Sequence, residues 1–158
     1  MSVYKIYICQ YAANCDAVST PKSLKPRHLE IVVRTGTDNV GGILKPRGSA
    51  FHIQGGAGNG WGYTPQHGVH YDNRGYCGRH HIGNIPASQA ALTAMENLLG
   101  TIPFKKGDPN WNCQNWVWEA ALLMRREGYQ MTLPSSFRDL DAIMDNAWEK
   151  WNDVQEED

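Results

Sequence analysis

Pro109-Asn-Trp-Asn-Cys-Gln-Asn-Trp-Val-Trp118 is the stretch that decides how this chain is organised. Asn112 is a good N-cap, and after it Trp116, Val117, Ala120, Ala121 and Met124 recur at helical spacing up to Gly128. The spacing predicts a largely buried helix over 112–127. With Asn112 as cap, Cys113 lies in the first turn, where unpaired backbone N–H groups and the helix dipole favour an anion. That placement makes a thiol acidic, and the thiolate is the nucleophilic form. The N–H groups of Cys113 and Gln114, with Asn112 in support, are suited to hold an oxyanion.

Two more helices flank this one. Ser88 and Gly100 bracket a helix over 88–99 with Ala91, Met95, Leu98 and Leu99 on its apolar side. A third begins after Pro134, where Ser136 and Asp139 form a capping-box-like Ser-x-x-Asp, and Leu140, Ile143, Met144, Trp148 and Trp151 recur helically. The N-terminal half reads as strands instead. Residues 3–10 alternate Tyr4, Ile6 and Ile8 against Lys5, Tyr7 and Cys9, as expected of a strand with one buried face. A polar loop over 12–27 leads to a β-branched strand over 27–34, the basic stretch 22–34 reading as solvated loop running into that strand. A turn-rich stretch over 35–49, short strands over 50–54 and 80–85, and no internal repeat complete the pattern. The chain is expected to be α+β, one domain over 1–158, with an acidic, frayed tail at 152–158.

Composition narrows the partners. The 158 residues are 41% hydrophobic, enough for one continuous core, and six Trp and seven Tyr are more than a disordered chain carries. Mean hydropathy of −0.52 and the lack of a membrane-length apolar run predict a soluble protein without stable membrane insertion. A net charge of −1 and pI near 6.6 give no reason to expect nucleic acid. The first nine residues lack a secretory signal, so a cytoplasmic protein with reduced thiols at Cys9, Cys15, Cys77 and Cys113 is expected, its oligomeric state open.

A general base must come from another element. His28 shares a strand face with Glu30 and Val32, and His52 points opposite to Phe51 and Ile53, so either ring could approach the helix start. Gly55-Gly-Ala-Gly-Asn-Gly-Trp-Gly62 lacks the Lys-Ser or Lys-Thr of a phosphate loop and reads as a mobile loop, with Trp61 and Tyr63, together with Trp111, placed to line a substrate cleft. Trp111 and Trp118 are the expected exposed members of a Trp set that otherwise serves the core. Cys77-Gly-Arg-His80-His81 has metal-ligand residue types, but it is a single cluster needing His67 or His70 to complete it, and a loop entering a strand is preferred. No metal and no cofactor are expected. The carboxylates Glu30, Asp38, Asp72 and Asp108 show no paired spacing and read as surface charge.

Asn112-Cys-Gln-Asn-Trp-Val117 resembles the Asn-Cys-x-x-Phe-Val motif of lecithin:retinol acyltransferase relatives and PPPDE peptidases, and His28-Leu-Glu-Ile-Val-Val33 resembles their histidine strand. The chain is also similar to a family of small fungal proteins with a late Trp-Asn-Cys-x-x-Trp-Val segment. The resemblance implies a circularly permuted papain-like fold, a small antiparallel sheet packed with about three helices and a nucleophile at a helix N-terminus. It further implies that His28 is the base for Cys113 and that His52 orients it. Gln114 and Asn115 depart from the Glu-His or Asn-His of the better-known families, and the hydrophobic C-terminal anchor of lipid-acting relatives is not expected here. The expected function is a cysteine-dependent hydrolase or acyltransferase forming an acyl-Cys113 intermediate on a small-molecule or peptide substrate. The alternative is a non-catalytic binding module that retains the fold.

Overall fold

Apolar residues in the centre of the chain alternate with a period of two, and the outcome is an antiparallel sheet with two differently furnished faces. The computed structural model describes residues 2–12, 27–56, 60–73 and 75–151. The loop expected over 13–26, the tip of the glycine-rich segment at 57–59 and the tail at 152–158 lie outside the described residues. The strands are β1 (Val3–Tyr11), β2 (His28–Val40), β3 (Ile43–Gly56), β4 (Gly60–Val69), β5 (Tyr76–Pro86) and the short β6 (Gln130–Met131); the helices are α1 (Gln89–Leu99), α2 (Cys113–Arg126) and α3 (Phe137–Trp151). The six-stranded sheet runs β4-β3-β2-β1-β5-β6, and every neighbouring pair is antiparallel.

Ile6 and Ile8 of β1, Leu29, Ile31 and Val33 of β2, and Phe51 and Ile53 of β3 project to one face, where they join Met95 and Leu99 of α1, Val117 and Met124 of α2, and Leu140 and Met144 of α3. Burial of these side chains is the main source of stability, on the order of 2 kcal/mol for each large one. Tyr7, Cys9, Tyr11, Val32 and Ala50 alternate with them and project to the second face, which Tyr71 from the β4–β5 connection partly covers. β1 is therefore buried on both faces, not on one as its alternation suggested. A central strand under a covering loop has no solvated side.

The helix boundaries follow the capping chemistry. Ser88 Oγ accepts from the Ala91 N–H at 3.1 Å, and Ser136 Oγ accepts from the Asp139 N–H at 3.1 Å. The stretch over 35–49 is not turn-rich. β2 and β3 continue as one long hairpin whose turn is confined to Gly41 and Gly42, both at positive φ (60° and 87°), the conformation that a two-residue turn between twisted strands requires. Pro46 is tolerated in β3 because pairing with β4 begins only at Gly48. Of the loop expected over 55–62, Gly55 and Gly56 belong instead to β3 and 60–62 to β4, paired from Gly56↔Gly60 onward.

Arg27, expected in a solvated stretch, is fully buried. Its guanidinium pairs with Asp145 and lies 3.7 Å from Asp141, both on α3, and stacks 5.6 Å from the Trp148 ring centroid. Its carbonyl oxygen accepts from Gln114 Nε2 of α2 at 3.1 Å. One residue thus ties the start of β2 to two helices. Arg27→Ala is expected to destabilise the fold by about 3–5 kcal/mol in urea denaturation, because it removes the buried cation that faces Asp141 and Asp145 together with its packing against Trp148. Arg27→Met should lose less, since it keeps the packing volume; equal losses would show that volume is not what the site needs.

Candidate functional site

The strand alternation that builds the core also gathers polar groups on the second face. Leu29 and Ile31 of β2 face the helices, so His28 and Glu30 face away from them. Phe51 pairs with Ile31, which sets His52 beside Glu30 on the adjacent strand. The three side chains converge: His28 Nε2 donates to Glu30 Oε2 at 2.8 Å, His52 Nδ1 stands 3.7 Å from the same oxygen, and the two imidazole rings meet edge to face at 5.1 Å. They line a pocket of about 650 Å³ with Tyr11, Gln54, Gln66, His70 and Tyr71. The Tyr11 hydroxyl donates to the Tyr71 carbonyl at 2.7 Å, and burial raises the pKa of both phenols, so they remain protonated. His70 is oriented at the pocket by Asp38, 2.8 Å from its Nε2.

His52 is the most buried of the three, with 3% of its surface exposed. Burial is the largest influence on its pKa and lowers it; the Glu30 carboxylate opposes this and the His28 ring reinforces it. Gln66 and the Ile53 backbone neighbour the ring and favour its protonated form slightly, yet neither ring nitrogen has a hydrogen bond of normal geometry among the described residues. A neutral, buried imidazole with an unsatisfied N–H and an unsatisfied lone pair is unusual, since each such group costs about 1–3 kcal/mol.

Cys113 is found where the sequence places it and not beside the partner assigned to it. It is the first residue of α2, capped by a reciprocal box in which Asn112 Oδ1 accepts from the Gln114 N–H at 2.9 Å and Asn115 Oδ1 accepts from the Asn112 N–H at 2.9 Å. It belongs to the core cluster on the helix face, 1% exposed, with its sulfur 4.0 Å from the Arg27 carbonyl oxygen. His28 and His52 project from the opposite face, so the sheet lies between the sulfur and both imidazoles. The pairing of Cys113 with His28 and His52 is corrected on that ground: adjacent strand residues point to opposite sides, and Leu29, not His28, shares the side of Cys113. The Cys113 sulfur is also in a disulfide bond, against the expectation of reduced thiols, whereas Cys9 and Cys77 are thiols. The Gln114 N–H, assigned to an oxyanion, already serves the Asn112 cap.

Trp61 and Trp111, expected at a cleft, belong to the core, and Tyr63 packs against it. Trp61 meets Trp111 edge to face at 5.9 Å, both within the core, and the Tyr63 ring lies 5.7 Å from Trp116 while its hydroxyl donates to the Glu96 carbonyl at 2.9 Å. Trp111, expected to be exposed, is 2% exposed, and its indole N–H donates to Glu119. The residues of Cys77-Gly-Arg-His80-His81 diverge along β5. The Cys77 thiol donates to the Gln10 carbonyl and is pushed up to about 11 by burial, while His81 Nε2 donates to the Gly83 carbonyl at 2.9 Å. Glu30 is the site residue read as mere surface charge. Its signal was the spacing His28-x-Glu30 on a strand, which sets both on one face; Tyr11, Gln66 and Tyr71 come from distant segments and left no local signal.

Fold and site together define an α+β protein with a six-stranded antiparallel sheet, three helices on one face and a polar pocket on the other. The chain belongs to the DUF6540 family, a family of unknown function, which it matches over residues 15–131. No curated protein and no solved structure matches it. Among the described residues, no helix is long and apolar enough to cross a membrane.

The burial of His52 sets a pH dependence. In the unfolded chain an imidazole takes up a proton near pH 6.5, while in the fold His52, and likewise His80, which is lowered by burial and by His81, resist protonation until lower pH. The unfolded state therefore binds more protons below that value, so stability is complete above about pH 6.5 and falls as the pH drops toward the folded pKa. Denaturant midpoints at about pH 7.5 and about pH 5 should differ less for His52→Gln than for the unaltered protein. An identical difference in both would show that His52 does not titrate differently in the two states.

Proposed function

We propose that the protein is a small-molecule binding module, its working site the pocket on the open face of the sheet, with His28, Glu30 and His52 at its centre. The observation that carries this reading is the convergence of the three groups in a hollow of about 650 Å³ in which His52 is buried with neither ring nitrogen in a hydrogen bond of normal geometry among the described residues. Ligand sites are concave and present a few convergent polar groups, and a buried polar group without a partner is one that a ligand can satisfy. The lining offers neutral donors and acceptors, Gln54, Gln66 and the Tyr11 hydroxyl, around one carboxylate, which suits a small polar ligand.

The chain order, histidine strands first and the cysteine helix late, is what supports a permuted papain-like scaffold, with the binding pocket lying away from the cysteine. The acyl-Cys113 reading needs the disulfide opened and the sulfur brought past the sheet to an imidazole. Two measurements decide between them. With iodoacetamide at neutral pH, the binding module is expected to leave Cys113 unlabelled without reductant and, after reduction, to label it no faster than a free thiol, with no effect of His28→Ala. Selective, rapid labelling that His28→Ala slows would restore the cysteine enzyme.

In the second measurement, chelator-treated, isotope-labelled protein is titrated by NMR with a panel of free amino acids, simple sugars, carboxylates and phosphate esters. Saturable shifts at the His52 ring, Gln66 and Tyr71 are expected from at least one class. Shifts confined to residues away from the pocket, or none from any class, would count against the pocket.

A further inference from the structure

Ions of the zinc type take imidazole nitrogen and carboxylate oxygen at about 2.0–2.2 Å, so donors that share one ion stand about 3–3.5 Å apart. His28, Glu30 and His52 each offer one such atom, and the three lie within 4.8 Å of one another. Glu30 Oε2 is common to two edges of the triangle, 2.8 Å from His28 Nε2 and 3.7 Å from His52 Nδ1. Both edges are already close to the required separation, and the third spans no more than 4.8 Å. The backbone presets this arrangement: His28 and Glu30 are two residues apart on one strand face, and His52 sits beside Glu30 on the next strand.

The second observation is independent of the triangle. His52 is nine-tenths or more buried where it lines the pocket, and neither of its ring nitrogens has a hydrogen bond of normal geometry among the described residues, although Gln66 and the Ile53 backbone lie near the ring. Coordination through Nδ1 satisfies one nitrogen. It leaves Nε2–H for an outer partner, a position that the neighbouring Gln66 amide can fill as metal-bound histidines require.

The geometry points to a divalent metal site in which His28 Nε2, Glu30 Oε2 and His52 Nδ1 hold one zinc-type ion, with its remaining positions open to the pocket. Two imidazoles and one carboxylate select first-row transition metals and zinc over magnesium and calcium, which favour all-oxygen shells. On binding, His28 presents the lone pair of Nε2, its proton resides on Nδ1, and the hydrogen bond to Glu30 gives way to two bonds to the ion. The open positions give a small ligand with a carboxylate, phosphate or hydroxyl oxygen a direct bond to the metal. This inference rests on the pocket being the working site.

The test is calorimetric titration of the chelator-treated full chain with zinc chloride, together with the visible absorption of the cobalt(II) form. One ion per chain is expected, with no uptake of magnesium. Glu30→Gln and His28→Gln should each weaken zinc binding at least about tenfold, a loss typical of disturbing a metal's ligand set. His67→Gln and His81→Gln, whose rings lie outside the triangle, should not change it. Far-UV circular dichroism checks that each variant is folded, and if Glu30→Gln is not, His28→Gln, at the partly exposed end of the triangle, decides. No zinc uptake by the unaltered protein, or uptake that His28→Gln leaves intact, overturns the site. The small-molecule panel is run on the metal-free and on the zinc-loaded protein: pocket shifts without zinc uptake would overturn the metal alone, and zinc uptake with no pocket shifts in either form would overturn the small-molecule reading alone.

Discussion

A guanidinium removed from water is costly unless carboxylates and a ring face replace its hydration, and Arg27 is fully buried at the start of β2. Asp141, Asp145 and Trp148 supply that replacement, and all three belong to α3. The carbonyl of the same residue receives the Gln114 amide from α2. Docking of two helices is thereby fixed against one point of the sheet, and the start of α2 is drawn to the helix face. The position of Cys113 follows from this constraint. Its sulfur rests against the Arg27 carbonyl, in the apolar layer, with the sheet between it and the histidines.

That division gives the two faces different chemistry. The helix face is apolar and filled, Trp61, Trp111 and Trp116 included. Among the described residues, the β4–β5 connection bearing Tyr71 covers part of the second face, with a hollow beside it. Polar side chains that alternate with core residues end there with few protein neighbours to satisfy them. His52 shows the result most clearly, since the flanking Phe51 and Ile53 are locked into the core and the ring has no choice of side.

Much of the architecture was legible in the sequence because it is written in local chemistry. Ser88, Asn112 and Ser136 marked the helix starts through side chains that bond their own first turn, and the β-branched run after His28 marked a strand. The β2–β3 hairpin was less so, because Pro46 and the paired glycines resemble loop punctuation until the reach of β4 is known. The burial of Arg27 could not be read, since its partners lie on α3, far along the chain. For the site, the sequence placed His28 and Glu30 on one face and Cys113 at a helix start, both correctly. It carried no information on which side of the sheet that helix packs, and the pairing of cysteine with histidine depended on that side alone.

The alternation in β2 has a further consequence, for the kinds of change this chain can accept. A substitution at His28 or Glu30 alters the pocket and leaves the apolar layer in place. Inserting or deleting one residue just after Arg27 does something else: it turns the strand over, carrying the imidazole and carboxylate into the layer beneath the helices and Leu29 and Ile31 into the hollow. The chemistry of the pocket can therefore change residue by residue, whereas a one-residue change of length in β2 keeps the two faces only if a bulge absorbs it, as the register shift between Arg34 and Gly36 already does.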